Sequence, residues 1–115
     1  LKMTGNKQLL QLAFANILNN ACKYSKNKPV LVYIASSDSS ILVTIKDRGI
    51  GIPGADLPYI YDPFYRASNT QKFEGYGIGL PLARNVIILH KGILNISSVV
   101  EEGTTVQVKL PISKF

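Results

Sequence analysis

Asn16-Ile17-Leu18-Asn19-Asn20-Ala21-Cys22-Lys23-Tyr24-Ser25 is the stretch on which the reading of this chain turns. At about 100° per residue a helix puts Asn16, Asn20 and Lys23 within roughly 60° of one another, on one stripe. Leu10, Phe14, Ile17, Leu18 and Ala21 fall on a different face, which reads as core. A mid-helix Asn costs roughly half a kcal/mol against Ala, because its amide competes with the backbone for hydrogen bonds. Asn16, Asn19 and Asn20 within five positions therefore argue against selection for stability alone. Two carboxamides and an ammonium on one stripe suit a cation and a phosphate chain.

Outward from this stretch, residues 6–25 read as one amphipathic helix, stopped by Lys26-Asn27-Lys28-Pro29, since proline disfavours helix in the residue before it. Residues 30–36 and 41–46 are apolar and β-branched, and the Asp38-Ser39-Ser40 turn makes them a hairpin. Asp47 to Pro53, DRGIGIP, is a glycine loop, and residues 54–61 suit a short helix. Residues 62–76 have no clear period and read as a mobile loop. Residues 77–90 form a second helix ended by Gly92. Residues 93–99 and 104–112 form a second hairpin across Glu101-Glu102-Gly103. The order predicts an α+β, two-layer sandwich with helices on one face of a mostly antiparallel mixed sheet.

The 115 residues suit one domain, 1–115, and the abrupt opening at Leu1-Lys2-Met3 reads as a piece of a longer protein. A hydrophobic share of 46 % supplies a core, and a charged share of 17 % is too low for a disordered tail. The net charge of +6 favours anionic partners, although a solvated basic surface explains it equally. Cys22 is the single cysteine, which excludes an internal disulfide, and it reads as a small hydrophobe near the buried side of the first helix. No apolar run approaches the length of a membrane span, and no secretory leader is visible.

Asp47 stands where the second strand runs into Gly49 and Gly51. A buried carboxylate needs a donor, and the exocyclic amine of adenine is one, where guanine shows a carbonyl. The glycines let the backbone approach a flat ligand. A strand-to-loop turn with an Asx hydrogen bond fits the same residues. Gly75-Tyr76-Gly77-Ile78-Gly79-Leu80 opens a helix, so its N–H groups and the helix dipole suit phosphate oxygens; a flexible hinge fits as well. The spacing is neither a dinucleotide-binding nor a Walker pattern. Between the two glycine runs, Arg66 can fork onto phosphate, Phe64 suits a loop anchor, and Lys72 reads either as a phosphate contact or as solvated charge.

Together these motifs resemble the ATP-binding catalytic domain of sensor histidine kinases, in the superfamily of gyrase-type and heat-shock chaperone ATPases. NILNNACKYS resembles its asparagine box, DRGIGIP its first glycine box, DPFYRAS its phenylalanine box, GYGIGLPLARNVIILHKG its second glycine box and helix, and EGTTVQVKLP its closing strand. The resemblance covers nearly the whole chain. It implies that Asn20 coordinates Mg²⁺, with Asn16 a second candidate ligand, that Lys23 approaches the phosphates, and that Tyr24 packs near the nucleotide. It implies that Asp47 binds adenine, with Gly49, Gly51 and Ile52 shaping the pocket. Gly75, Gly77 and Gly79 would frame a hinged lid over the phosphates, Phe64, Arg66, Lys72 and Leu80 would join the nucleotide-binding residues, and Thr105 would support Asp47 through water.

Three departures stand out. Gly5-Asn6 replaces the usual Gly-Asp, and Asn still caps a helix. Pro81 replaces Ala or Gly, which a first helical turn tolerates. Tyr76 replaces Thr or Ser and crowds the phosphate mouth.

The gyrase-like relatives carry a glutamate where this chain has Asn16, and a carboxamide is no general base. The resemblance therefore implies a kinase domain that holds ATP-Mg²⁺ and donates the γ-phosphoryl group to a histidine on a separate dimerisation domain of the same protein. A response regulator is then an indirect partner, with neither nucleic acid nor direct membrane contact, and the setting is cytoplasmic, beneath a membrane-anchored sensor. No catalytic residue is expected within the chain. His90, the only histidine, lacks an adjacent carboxylate and reads as a cation at a helix C-terminus rather than a phosphate acceptor. A serine/threonine kinase of the anti-sigma-factor type and a degenerate nucleotide sensor are the alternatives.

Overall fold

Asn6 begins the ordered architecture by accepting the Leu9 N–H on its side-chain oxygen at 3.0 Å, capping helix α1, Lys7–Lys23. The computed structural model describes residues 5–62 and 79–112. Beyond α1 these contain β1 (Leu31–Ser36), β2 (Ser40–Lys46), a 3₁₀ turn (Leu57–Tyr59), α2 (Gly79–Leu89), β3 (Ile93–Val99) and β4 (Gly103–Pro111). Lys26 and Asn27, both at positive φ, turn the chain out of α1 toward the sheet.

The expected hairpins β1–β2 and β3–β4 both form, and β2 pairs with β4 to join them in the order β1-β2-β4-β3. Every pairing among the described residues is antiparallel. One face of the sheet carries Val43, Ile45, Leu94, Val106, Val108 and Leu110 into the core, against Ala13, Ile17, Ala21, Ala83, Val86 and Ile87 of the two helices. This is the expected α+β sandwich with helices on one face. Fully burying one of these aliphatic side chains is worth about 1.5–3 kcal/mol. The helical layer stops short of β1, whose six residues are all exposed, with Ile34 at 66 %.

The buried stripe of α1 runs Ala13-Ile17-Ala21, with Leu10, Phe14 and Leu18 half-buried on its far flank and Asn16 and Asn20 half-buried on the near one. Cys22 is exposed, correcting its reading as a core residue: one position past Ala21 rotates it by about 100°, away from the sheet. Pro81 is the third residue of α2 and buried, where its missing N–H costs no helical bond.

His90 also departs from its reading as a helix-end cation. It is buried, its Nε2 accepts the Asn6 N–H at 2.8 Å, and its Nδ1 lies 2.8 Å from the Val86 carbonyl. An accepting Nε2 leaves the ring proton on Nδ1, donated to Val86. The imidazole thus pins the start of α1 to the end of α2, and a Cβ on Gly5 would sit 2.4 Å from its Cδ2. His90→Phe keeps a planar ring, somewhat larger, but strands the Asn6 N–H. It is expected to destabilise the chain by about 1–3 kcal/mol in urea unfolding, with nucleotide affinity unchanged.

Candidate functional site

β2 leaves the sheet at Lys46, and the next residue, Asp47, continues the core-facing register of Val43 and Ile45. Its side chain is therefore buried, at 6 % exposure. The Asp47 N–H donates to the Thr104 carbonyl at 2.9 Å, extending the β2–β4 ladder by one step. One carboxylate oxygen, Oδ1, accepts the N–H groups of Gly49 at 2.8 Å and Thr104 at 3.2 Å. Among the described residues no donor reaches Oδ2 and no cation pairs with the group. Burial pushes the Asp47 carboxyl above its ordinary 3.8, a rise that the Gly49 and Thr104 N–H groups partly oppose. The Asx turn weighed for this residue is present, and it occupies one oxygen only.

The loop after Asp47 is held between two turns. The Ile50 N–H donates to the Tyr24 carbonyl at the end of α1 at 3.1 Å, and the Ile50 carbonyl accepts from Glu101 N–H in the β3–β4 turn at 2.8 Å. Lys26 and Glu101 form an ion pair between the same two turns. Gly49 lies so close to α1 that a Cβ would fall 1.7 Å from the Tyr24 carbonyl oxygen. Gly51, at φ +72°, would bring a Cβ to 2.2 Å from the Val99 carbonyl oxygen. These two glycines admit neighbouring backbone. Ile52 is half-buried and its N–H donates to Ser98 Oγ at 2.7 Å.

These contacts bring the C-terminal end of the asparagine stripe against the Asp47 loop. Asn16 and Asn20 are half-buried, Lys23 is exposed, and Tyr24 caps α1. The Lys23 ammonium stands 5.4 Å from the centre of the Tyr24 ring. Gly79 begins α2, and Leu80 is half-buried. Phe64, Arg66, Lys72, Gly75 and Gly77 lie outside the described residues.

Thr105 does not join the carboxylate. The register pairs it with Lys46 and Ser97, on the sheet face opposite Asp47. Its neighbour Thr104 supplies the contacts instead, through main-chain N–H and carbonyl. Ser98 and Gly103 also border the site and were not singled out from sequence. A Cβ on Gly103, at φ +122°, would meet the Asp47 carbonyl oxygen at 2.1 Å. Ser98 had a legible signal, a hydroxyl continuing the inward register of Leu94 and Ile96.

A buried carboxylate oxygen that meets no donor among the described residues, on a loop packed against the end of the helix that carries Asn16, Asn20 and Lys23, fits a ligand carrying a hydrogen-bond donor at one end and anionic groups at the other. The model of the family described as "Histidine kinase-, DNA gyrase B-, and HSP90-like ATPase" matches residues 5–114. The signal transduction histidine-protein kinase AfsQ2 of Streptomyces coelicolor is 35 % identical over 103 residues, which cover 89 % of this chain and 19 % of that protein. The sensor histidine kinase WalK of Bacillus subtilis is 34 % identical over 101 residues, covering 84 % of this chain and 16 % of that one. The solved structure of the mycobacterial sensor histidine kinase MprB superposes with a TM-score of 0.86 at 26 % identity, over 98 % of this chain and 78 % of that chain. The chain belongs to this family of ATP-binding domains. It spans about a fifth of the length of these two curated relatives.

Proposed function

We propose that the chain is the catalytic half of a sensor histidine kinase. It binds ATP with Mg²⁺ and presents the γ-phosphoryl group to a histidine on a dimerisation domain of the same protein, with a response regulator downstream. The observation that carries this reading is the Asp47 carboxylate, buried and, among the described residues, without a paired cation and without a donor at Oδ2. An exocyclic amine supplies the missing donor, so adenine is selected over guanine. The loop clamped between Tyr24 and Glu101 holds that carboxylate still.

Among the described residues no three His, Cys, Asp or Glu side chains gather to cage a metal. The stripe offers instead the amide oxygens of Asn20 and Asn16, hard donors suited to Mg²⁺, which keeps waters and takes phosphate oxygens for the rest of its shell. Held by these residues, Mg²⁺ would supply charge neutralisation at the phosphates. Lys23 adds a second positive charge on the same stripe. Phosphoryl transfer asks the protein mostly for positioning, and Asn16 supplies no base with which to activate water.

The nucleophile comes from elsewhere, because both nitrogens of His90 are engaged in the fold. Among the described residues no helix is long and apolar enough to cross a membrane. We place the domain in the cytoplasm, attached to a membrane-anchored sensor.

Incubation with ATP labelled at the γ-phosphate tests this reading. The chain alone is expected to stay unlabelled, and acid-labile phosphate is expected on an added dimerisation domain bearing the acceptor histidine. Acid-labile phosphate on the chain itself contradicts the proposal. Acid-stable phosphoserine on a partner points to the anti-sigma-type alternative.

A further inference from the structure

Ser98 stands where the Asp47 loop, the β3–β4 turn and the start of β4 meet. Its hydroxyl is used to capacity. Ile52 N–H donates to it at 2.7 Å, the Thr104 hydroxyl lies 2.8 Å away, and the Gly103 carbonyl lies 3.0 Å away. A hydroxyl has one proton and two acceptor sites. The three partners fill that inventory in one way: Ile52 N–H and the Thr104 hydroxyl donate to Ser98, and Ser98 donates to Gly103.

Two of these partners border Asp47, and the third lies at the far end of its loop. Thr104 grips both its main-chain N–H and its Oδ1. Gly103 abuts its carbonyl. Ile52 closes the loop that Asp47 opens. One hydroxyl therefore fastens the exit of the loop to the strand that grips its entrance.

We propose that Ser98 is a positioning residue for adenine recognition: through Thr104 and Ile52 it fixes the direction of the Asp47 carboxylate, so that Oδ2 meets the exocyclic amine of the purine. Ser98 touches no nucleotide in this account and acts only through Asp47. The inference rests on the adenine-binding reading of Asp47. It makes Ser98 a determinant of purine selectivity, with no part in holding the triphosphate.

Calorimetric titration of the chain in Mg²⁺ with two nucleotides tests it: ATP, and the triphosphate of purine riboside, which lacks the 6-amino group. Ser98→Ala strands the Ile52 N–H and the Thr104 hydroxyl. It is expected to lower ATP affinity about tenfold, the scale of one unmet hydrogen bond, while changing affinity for the analogue less than about twofold. Ser98→Thr keeps the hydroxyl and is expected to restore most of the ATP affinity. In an Asp47→Asn background, Ser98→Ala is expected to add almost no further loss, because the two act as one unit.

Thr104→Val serves as a second variant should Ser98→Ala not fold. It removes the hydroxyl donor to Ser98 and is expected to narrow the preference for ATP over the analogue in the same sense. Equal losses for the two nucleotides in Ser98→Ala, or an unchanged preference in Thr104→Val, overturn the proposal and leave the Asp47 reading standing. A wild-type chain that binds the two nucleotides equally, or an Asp47→Asn variant with undiminished ATP affinity, overturns the Asp47 reading and the proposal with it.

Discussion

Replacing Asp47 with asparagine is expected to lower ATP affinity by about 100-fold and to leave the nucleotide-free domain at least as stable at neutral pH. The affinity loss has two sources. A charge-assisted hydrogen bond to the purine amine, worth up to about 3 kcal/mol, is removed. The new carboxamide also places an N–H₂ donor where the ligand presents a donor. The stability effect follows from burial. Desolvation raises the folded-state pKa of Asp47 above its ordinary 3.8, so folding favours the protonated acid. Its contribution to stability is therefore fully present below that ordinary value and is lost as pH rises through the folded-state value. At neutral pH the ionised carboxylate is held against its own desolvation cost. Asparagine keeps an oxygen for the Gly49 and Thr104 N–H groups without the charge. Thermal unfolding from acid to neutral pH is expected to show a fall in wild-type stability that Asp47→Asn lacks. A variant that loses stability and affinity together at neutral pH contradicts this separation.

Asn20→Ala is expected to abolish the part of ATP affinity that depends on Mg²⁺. Losing a group that merely orients a metal ligand costs about 10–100-fold in metal affinity or activity, and losing a ligand itself should cost at least that. Titration with ATP in Mg²⁺ and in EDTA separates the terms. The variant's affinity in Mg²⁺ is expected to fall to the wild-type value in EDTA, and its affinity in EDTA to change little. Asn20 is half-buried, on the flank of α1 rather than in its packed stripe, so its truncation should disturb the fold little. Equal losses in both media would show that Asn20 supports the helix and not the ion.

The fold was largely legible in the sequence because its elements carry strong local signals. Asn6 caps a helix, the apolar period of α1 is that of a helix, and both hairpins are bounded by turn residues. The strand order was not legible. The pairing of β2 with β4 joins residues about 60 to 70 positions apart, from Lys46 with Thr105 to Ser40 with Pro111, and no local pattern encodes it. Thr105 shows how narrow the margin is in a strand: the site contacts belong to Thr104, and one residue of register exchanges the two faces of a sheet.

At Gly49 and Gly51 the structure shows a close approach of backbone that the sequence did not specify. Glycine marks close approach, and the sequence does not say of what; here it is the carbonyls of Tyr24 and Val99. His90 looked like a helix-end charge because its partner, the Asn6 N–H, comes from the far end of the chain.

The central claim is that an exocyclic purine amine completes the shell of a buried carboxylate. A crystal structure of the chain with an unhydrolysable ATP analogue and Mg²⁺ tests it most directly. The account predicts the N6 amine of adenine within hydrogen-bonding distance of Asp47 Oδ2. Adenine bound anywhere else, with Oδ2 facing water or a protein donor, contradicts it.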